Sequence, residues 1–380
     1  MLFGLPLLVK DNIDVAGLHT TAGSLALSDH IAKTNATVID NILRHGGLVL
    51  GKTNMTEFAN FTSGGMPNGY SSRGGFVKNA YDPQKDPGGS STGSAVAVSA
   101  GFCAMAVVTD TSFSIVACAT ENGIAGFKPR HASLSSSGII PISATLDSAG
   151  ALSRNLTDAM LLYRGMSTRP DAPVQPAPVS ALSVGVNVYN RDRVSDAQWQ
   201  HYERLFASLR RAGAQLSELT KPYTPHQYSM MLCEFKRDLE RYLSHSSAPL
   251  KTLDDVIACY EAHPETMMKY GISTLREASQ KSVDDALYQE AVAARARLRV
   301  QVIRELEKYD ACIMTGPTNI MHFVGLPSLA LPLCMDEDGI PRGIILYGSD
   351  ERRLLSAALT IETYCAPFSP PAIHSWSASI

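Results

Sequence analysis

Apolar residues in the first 165 positions come in short runs, each closed by turn chemistry. GLPLLVK at 4–10 and GGLVLGK at 46–52 read as short buried strands. Between them, NATVIDNILRHGG sets apolar side chains at helical spacing and stops at Gly46-Gly47, an ordinary helix exit. SAVAVSAGFCAMAVVTDT at 94–111 reads as a small-residue helix running into a strand that ends near Asp110. The turn after it carries Thr111 to Ser114. Helix and strand alternate with short joints, which predicts an α/β architecture. STRPDAPVQPAPVSAL at 167–182 holds four prolines and predicts a linker or a surface crossing. LSVGVNVY then alternates as a strand. From about 196 to 308 the chain turns helical and charged, as in DAQWQHYERLFASLRRAG, and predicts a helical lobe with solvated faces. DACIMTGPTN and LPSLALPLCMDEDGIPRGIILYGS return to strands and turns.

Composition narrows the class. Of 380 residues, 45% are hydrophobic and 18% charged, so the chain has ample material for a core. A formal charge of −3 supplies no electrostatic case for nucleic-acid binding. No run of 18 apolar residues is present to span a bilayer, and no membrane partner is expected. Lys10 cuts the apolar start short, with no basic leader or small-residue cleavage site, so a signal peptide is not expected. Seven cysteines without CxxC spacing read as reduced thiols of a cytoplasmic protein. The ten histidines show no HExxH or paired spacing, so neither a metal nor another cofactor is expected.

The chemistry concentrates in PGGSSTGSAVAVSAG, residues 87–101. A glycine-rich loop before a helix can hold phosphate, but a Walker loop ends in Gly-Lys-Ser/Thr and this one ends in Gly93-Ser94-Ala95. No strand precedes it either: KNAYDPQKDPGG is charged and broken by proline. Gly89-Ser90-Ser91-Thr92-Gly93 satisfies G-x-S-x-G literally, and Asp147 and His322 stand downstream as nominal partners. A third reading needs no histidine. A lysine can activate a hydroxyl if it is neutral, and Lys10 ends an apolar stretch where burial would disfavour its ammonium. The alternative for Lys10 is a strand-end lysine paired with Asp11 or Asp14.

Three segments together resemble the amidase signature family, serine hydrolases with a Ser–cis-Ser–Lys triad. GLPLLVKDNIDVAGLHTTAGS is similar to the lysine segment and DPGGSSTGSAVAVSAG to the glycine/serine signature. VVTDTSFSIVACATENGIAGFKPR is similar to the nucleophile segment. GLVLGKTNMTEFANF, GYSSRGGFVKNAYDP, SSSGIIPISATLDSAGALSRNLTDA and the stretch from His322 to Ala358 extend the likeness. The resemblance covers roughly 1–165 and 310–362. It implies an α/β fold, a twisted mixed sheet between helical layers, as a single domain over 1–380. Residues 1–165 and 310–362 would form the catalytic core and 196–308 the lobe.

By the resemblance, Ser114 is the nucleophile and Ser90, in a cis peptide with Gly89, bridges it to Lys10. The N–H groups of Thr111, Ser112 and Phe113 would form the oxyanion hole, with Ser91 and Asp110 in support. The implied activity is hydrolysis of a linear amide or ester, on a small-molecule or peptide substrate, and the family admits a homodimer. SIV after the nucleophile, with GYSSRGG, lies closer to the peptide-amidase branch. The tRNA-amidotransferase branch usually has Arg where Val116 stands.

Some positions depart from the family pattern. Ser112-Phe113 replaces two small residues, Cys118 stands where proline is expected and Arg130 where threonine is expected. A phenylalanine at position 113 is strained if that position needs positive φ, and crowds the acyl pocket if it needs room. Lys10 also lies nearer the start than in family members, which carry helices before it; either their absence exposes apolar surface or the sequence is a shortened form of the chain. Three readings follow: a working triad whose pocket Phe113 reshapes for a particular amide or ester, an amidase-fold binding protein in which hydrolysis is lost or feeble, and an A-type subunit of an amidotransferase. Tyr70, Met66 and Ile139 are candidate pocket walls.

Overall fold

In the computed structural model, residues 1–221 and 223–372 are described. Twelve strands form: β1 (Pro6–Lys10), β2 (Leu48–Thr53), β3 (Tyr70–Ser71), β4 (Gly75–Phe76), β5 (Met105–Asp110), β6 (Ala125–Lys128), β7 (Ser148–Ser153), β8 (Ser183–Asn187), β9 (Gln215–Leu219), β10 (Ala311–Met314), β11 (Ser328–Met335) and β12 (Pro341–Tyr347). Ten of them join one mixed sheet in the order β2-β1-β5-β7-β6-β11-β12-β10-β8-β9, while β3 and β4 make a separate hairpin. β2, β1 and β5 are parallel, as are β10, β8 and β9, and the strands between pair antiparallel.

Period-two alternation sorts each strand between two cores. On β5, Met105 and Val107 enter the first face, Ala106 and Val108 the second. Helices Thr37–Arg44, Leu156–Met166, Asp196–Arg211 and Glu351–Glu362 cover the first face. Helices Thr92–Ser99, Val116–Glu121, Ile320–Phe323 and Ala286–Leu306 cover the second. A third core joins Phe58 and Phe61, from the loop after β2, to Leu232, Phe235 and Leu239 of helix His226–His245. The expected α/β fold, a mixed sheet between helical layers, is what the chain adopts.

Three local expectations are corrected. β2 is not a buried strand: it lies at the sheet edge with a neighbour on one side only, and Leu48 and Leu50 remain 53% and 56% exposed. β8 does not alternate between core and solvent, because it is flanked by β10 and β9 and Val184 through Asn187 are all buried. The stretch 196–308 is not helical throughout. Helix Asp196–Arg211 packs Tyr202, Leu205, Phe206 and Leu209 into the first-face core, and β9 then pairs with β8. From His226 to Leu306 the described residues form helices and no strand. The proline-rich stretch 167–178 crosses the surface, mostly exposed.

This topology positions the site. β1 and β5 run parallel in register, Leu7 beside Met105 and Val9 beside Val107. Their C-terminal ends, Lys10 and Asp110, therefore emerge side by side at one end of the sheet.

Candidate active site

The loop before helix Thr92–Ser99 is shaped by close approach. Gly88 has φ +73°, and a Cβ there would lie 2.9 Å from the Cα of Cys118. A Cβ on Gly93 would lie 2.4 Å from the carbonyl oxygen of Asn54. Only glycine fits either position. The Gly89–Ser90 peptide is cis. Thr56 N–H donates to the Ser90 carbonyl at 3.1 Å and Thr92 Oγ1 to the Gly88 carbonyl at 2.8 Å, so both sides of the bend are tied down. No strand precedes this loop, as the sequence predicts.

Three residues distant in sequence meet here. Lys10 Nζ lies 2.9 Å from Ser90 Oγ, and Ser90 Oγ lies 3.0 Å from Ser114 Oγ. Lys10 and Ser90 are fully buried, and Ser114 is 5% exposed. Lys10 also donates to the carbonyl and the hydroxyl of Thr109, at 3.2 and 3.0 Å. Burial drives the Lys10 pKa down from 10.5 to about 8, although Asp110 and Asp147 pull it the other way. Both protonation states are accommodated. An ammonium has three N–H groups for Ser90 and the two Thr109 oxygens. A neutral amine keeps two for Thr109 and accepts the Ser90 proton on its lone pair. The row of hydroxyls can thus run its hydrogens in either direction.

The pairing of Lys10 with Asp11 or Asp14 does not form. Asp11 instead takes the hydroxyl and N–H of Thr21 and lies 3.5 Å from Lys52, while Asp14 accepts the Tyr242 hydroxyl at 2.7 Å. The G-x-S-x-G triad does not assemble either. Ser91 Oγ donates to the Thr109 carbonyl at 3.1 Å, and Asp147 accepts from Thr111 Oγ1 at 2.5 Å and from the N–H groups of Ile142 and Ser143. His322 packs against Phe113, with ring centroids 4.4 Å apart and the rings tilted by 58°, and its Nδ1 lies 3.1 Å from Asp110 Oδ1, off line for a hydrogen bond.

The turn from Thr111 to Ser114 carries the departure noted in the sequence. Phe113 has φ +69°, the left-handed region, which costs a side-chain-bearing residue about 1–2 kcal/mol. Its ring is half-buried against His322 rather than free. Asp110 holds the turn by accepting the Ile115 N–H at 2.7 Å. Burial works against ionising Asp110, yet His322, Lys128 and that N–H outweigh it and hold the carboxyl below its ordinary range. Among the described residues, the N–H groups of Thr111, Ser112 and Phe113 donate to no protein acceptor. They are donors left for something else. Gln227 Nε2 fixes the Thr111 carbonyl at 3.1 Å.

The other departures are absorbed quietly. Cys118 is a buried filler whose thiol is pushed up to about 12 by burial, so it is inert near neutral pH. Arg130 is exposed; its backbone N–H donates to Glu351 at 2.8 Å and its carbonyl accepts the Ser133 N–H at 3.0 Å. Tyr70 packs on Phe76 and Tyr270. Met66 is buried, and Ile139 lines a separate cavity of about 390 Å³. That cavity is bordered by Asn12, Thr109, Thr111, Asp147 and Ser148, but Lys10, Ser90 and Ser114 do not line it. Among the described residues no group of three or more His, Cys, Asp or Glu side chains is arranged to hold a metal ion. No helix of these residues is long and apolar enough to cross a membrane.

Sequence reasoning did not single out Thr109 and Asn12. Asn12 Nδ2 donates to Thr109 Oγ1 at 3.0 Å, so the two residues brace Lys10 from below. Both lie inside motifs, KDN and VTDT, in which a neighbouring charged residue is the conspicuous one.

A relay of this shape, at the end of a parallel strand pair and under a glycine/serine loop, defines a class. The Amidase family profile matches residues 1–318, and the chain belongs to that family, as an amidase-family hydrolase. Peptide amidase from Stenotrophomonas maltophilia superposes with a TM-score of 0.89 at 31% identity, over 98% of this chain and 85% of that one. An amidase family protein from Bacillus anthracis gives a TM-score of 0.90 at 29% identity, over 97% and 79%. The A-type subunit of the glutamyl-tRNA(Gln) amidotransferase from Gluconobacter oxydans is 30% identical over 98% of this chain and 85% of its own length.

Proposed function

We propose that the protein hydrolyses a carboxylic amide through an acyl-enzyme on Ser114. Neutral Lys10 takes the proton of Ser90 while Ser90 takes that of Ser114, whose oxygen attacks the carbonyl carbon. The negative charge on the carbonyl oxygen is met by the N–H groups of Thr111, Ser112 and Phe113, each such donor being worth about 3 kcal/mol in a transition state. The protons return along the same path to the leaving amine, and the C–N bond breaks. Water activated by the same relay then releases the acid and restores Ser114. Asp110 steadies the nucleophile turn, and Ser91 steadies the Thr109 carbonyl that also receives Lys10.

The observation that carries this reading is the unbroken chain from Lys10 through Ser90 to Ser114, at 2.9 and 3.0 Å. The test is labelling with a serine-directed fluorophosphonate. Wild type is expected to take one phosphonyl group on Ser114, found by peptide mass, and Ser114→Ala none. Folded protein that stays unlabelled would remove the reading.

For the substrate, likeness to a peptide amidase at 31% identity favours a peptide carboxy-terminal amide, or a small aryl or alkyl amide or ester, over glutamine. Turnover of peptide amides beside glutaminase activity, measured with and without cell extract, separates this from an amidotransferase A-type role. A second reading is favoured by one feature, Phe113 at positive φ with its ring on His322. In that reading the chain binds amides and turns them over feebly. The unpaired state of all seven cysteines agrees with a reducing, cytoplasmic setting.

A further inference from the structure

The helical lobe reaches the nucleophile turn through one side chain. Gln227 stands in the first turn of helix His226–His245 and is 2% exposed. Its Nε2 donates to the Thr111 carbonyl at 3.1 Å, 116 residues away in sequence. The facing atom is a carbonyl oxygen, so the amide must present its N–H there, and Oε1 is the atom left over. Among the described residues Oε1 has no hydrogen-bond partner. A buried amide that leaves one atom unpaired calls for an explanation, and the bond it does make supplies one.

That bond acts on a whole peptide unit. The Thr111 carbonyl and the Ser112 N–H belong to one planar group, and it is trans: among the described residues only Gly89–Ser90 is cis. In a trans peptide C=O and N–H point in opposite directions. Holding the carbonyl towards the lobe therefore turns the Ser112 N–H away from it, and that N–H has no protein acceptor among the described residues. Thr111 is held a second time, where its Oγ1 donates to Asp147 at 2.5 Å. The helix end that carries Gln227 is itself fixed. Asn319, fully buried, accepts the Thr224 N–H and donates to the Thr224 carbonyl, each at 2.8 Å. Met230, one turn further on, is fully buried in the second-face core.

We propose that Gln227 is a positioning residue for the oxyanion hole: it pins the Thr111–Ser112 peptide so that the Ser112 N–H stays aimed at the carbonyl oxygen of the substrate. An unpinned turn peptide can rotate, and a rotated N–H no longer meets the charge that develops on that oxygen. The effect falls on the transition state and hardly on the bound amide. The inference rests on the reading of Ser114 as nucleophile and of Thr111, Ser112 and Phe113 as its oxyanion donors.

The test compares wild type with Gln227→Met, which keeps the length of the side chain but cannot donate, and with Gln227→Glu, which donates only when protonated. Two rates are read across pH: phosphonylation of Ser114 by a fluorophosphonate, and hydrolysis of a peptide carboxy-terminal amide. Where the amide is not turned over, the phosphonylation rate decides by itself. In Gln227→Met both rates are expected to fall by about 10–100-fold, with KM within about threefold of wild type. The acid limb is expected to stay near about 8, because Lys10 is untouched; damage that spread to the relay would move it. Gln227→Glu is expected to match Gln227→Met at about pH 9 and to recover towards wild type as pH falls and its carboxyl takes up a proton. Asp147 bears on the same Thr111 and titrates in all three proteins, so the readout is the ratio to wild type at each pH. That variant also serves if Gln227→Met fails to fold, since one protein is compared with itself. Rates within about twofold of wild type in Gln227→Met, a raised KM with kcat unchanged, a displaced limb or a flat Gln227→Glu ratio would overturn the role of Gln227 alone. Folded wild type that neither takes the phosphonyl group nor turns over the amide would overturn it together with the hydrolase reading.

Discussion

Two buried lysines stand at strand ends on this sheet, and only one is built for proton traffic. Lys10 ends β1 and Lys128 ends β6; both are fully buried, and burial lowers each pKa from 10.5 to about 8. Their partners differ. Lys128 Nζ meets two carbonyls, of Leu326 at 2.8 Å and Pro129 at 3.3 Å. Lys10 Nζ meets two hydroxyls and one carbonyl. A carbonyl has no hydrogen to give, so Lys128 has nothing to deprotonate. The Ser90 hydroxyl can hand Lys10 a proton and replace it from Ser114. Burial makes an amine available as a base, and its neighbours decide whether it acts as one.

The widest gap between the two sites should appear on deletion. Lys10→Met is expected to lower kcat by at least about 10⁴-fold, as for loss of a member of a catalytic unit. Lys128→Met is expected to leave kcat within a few-fold while lowering unfolding free energy by about 1–3 kcal/mol, since two buried carbonyls lose their donor. Steady-state kinetics and denaturant unfolding on both variants check this, and a comparable loss of kcat in Lys128→Met would break the contrast.

The pH dependence sharpens it. If Lys10 must be neutral, kcat/KM rises with pH through about 8 and levels off above it. The same shift has a stability sign. The unfolded lysine keeps its proton up to about 10.5, so between about 8 and 10.5 the folded state gains stability from this group as pH rises. An acid limb near 6.5 would point to a histidine instead.

A smaller effect is expected from Phe113→Gly. It removes about 1–2 kcal/mol of backbone strain together with the ring contact to His322, so stability should change little. Turnover of small amides is expected to rise several-fold as the pocket opens. A fall would make the ring part of the substrate site.

Thr109→Val should have the mildest consequence. It takes one acceptor from the Lys10 ammonium and frees Asn12 Nδ2. The acid limb is then expected to move to lower pH and kcat to fall by about twofold, the amine being easier to deprotonate and less well held. A limb displaced upward would show that the hydroxyl does not stabilise the ammonium.

Periodicity and turn chemistry foretold most of the architecture. Runs such as PLLVK and MAVVTD carry their strand character within five or six residues, and Gly46-Gly47 ends a helix wherever the helix goes. The likeness to the amidase signature family named Lys10, Ser90 and Ser114 before any distance was known. β2 and β8 show the limit. Both read as strands, but burial depends on how many neighbours a strand has, and neither LVLGK nor SVGVN says which is edge and which is centre.

What local patterns specified, then, was the elements, the residue types at the site and the glycines that let two backbones touch. The meeting of Lys10 with Ser90, 80 residues away, and with Thr109, 99 away, required β1 and β5 to lie side by side. The ring of Phe113 against His322 likewise joins segments far apart in the chain. Each of these is a contact between segments that carry no information about each other until the sheet is assembled, because hydrogen bonding and desolvation act over a few ångströms of space and take no account of distance along the chain.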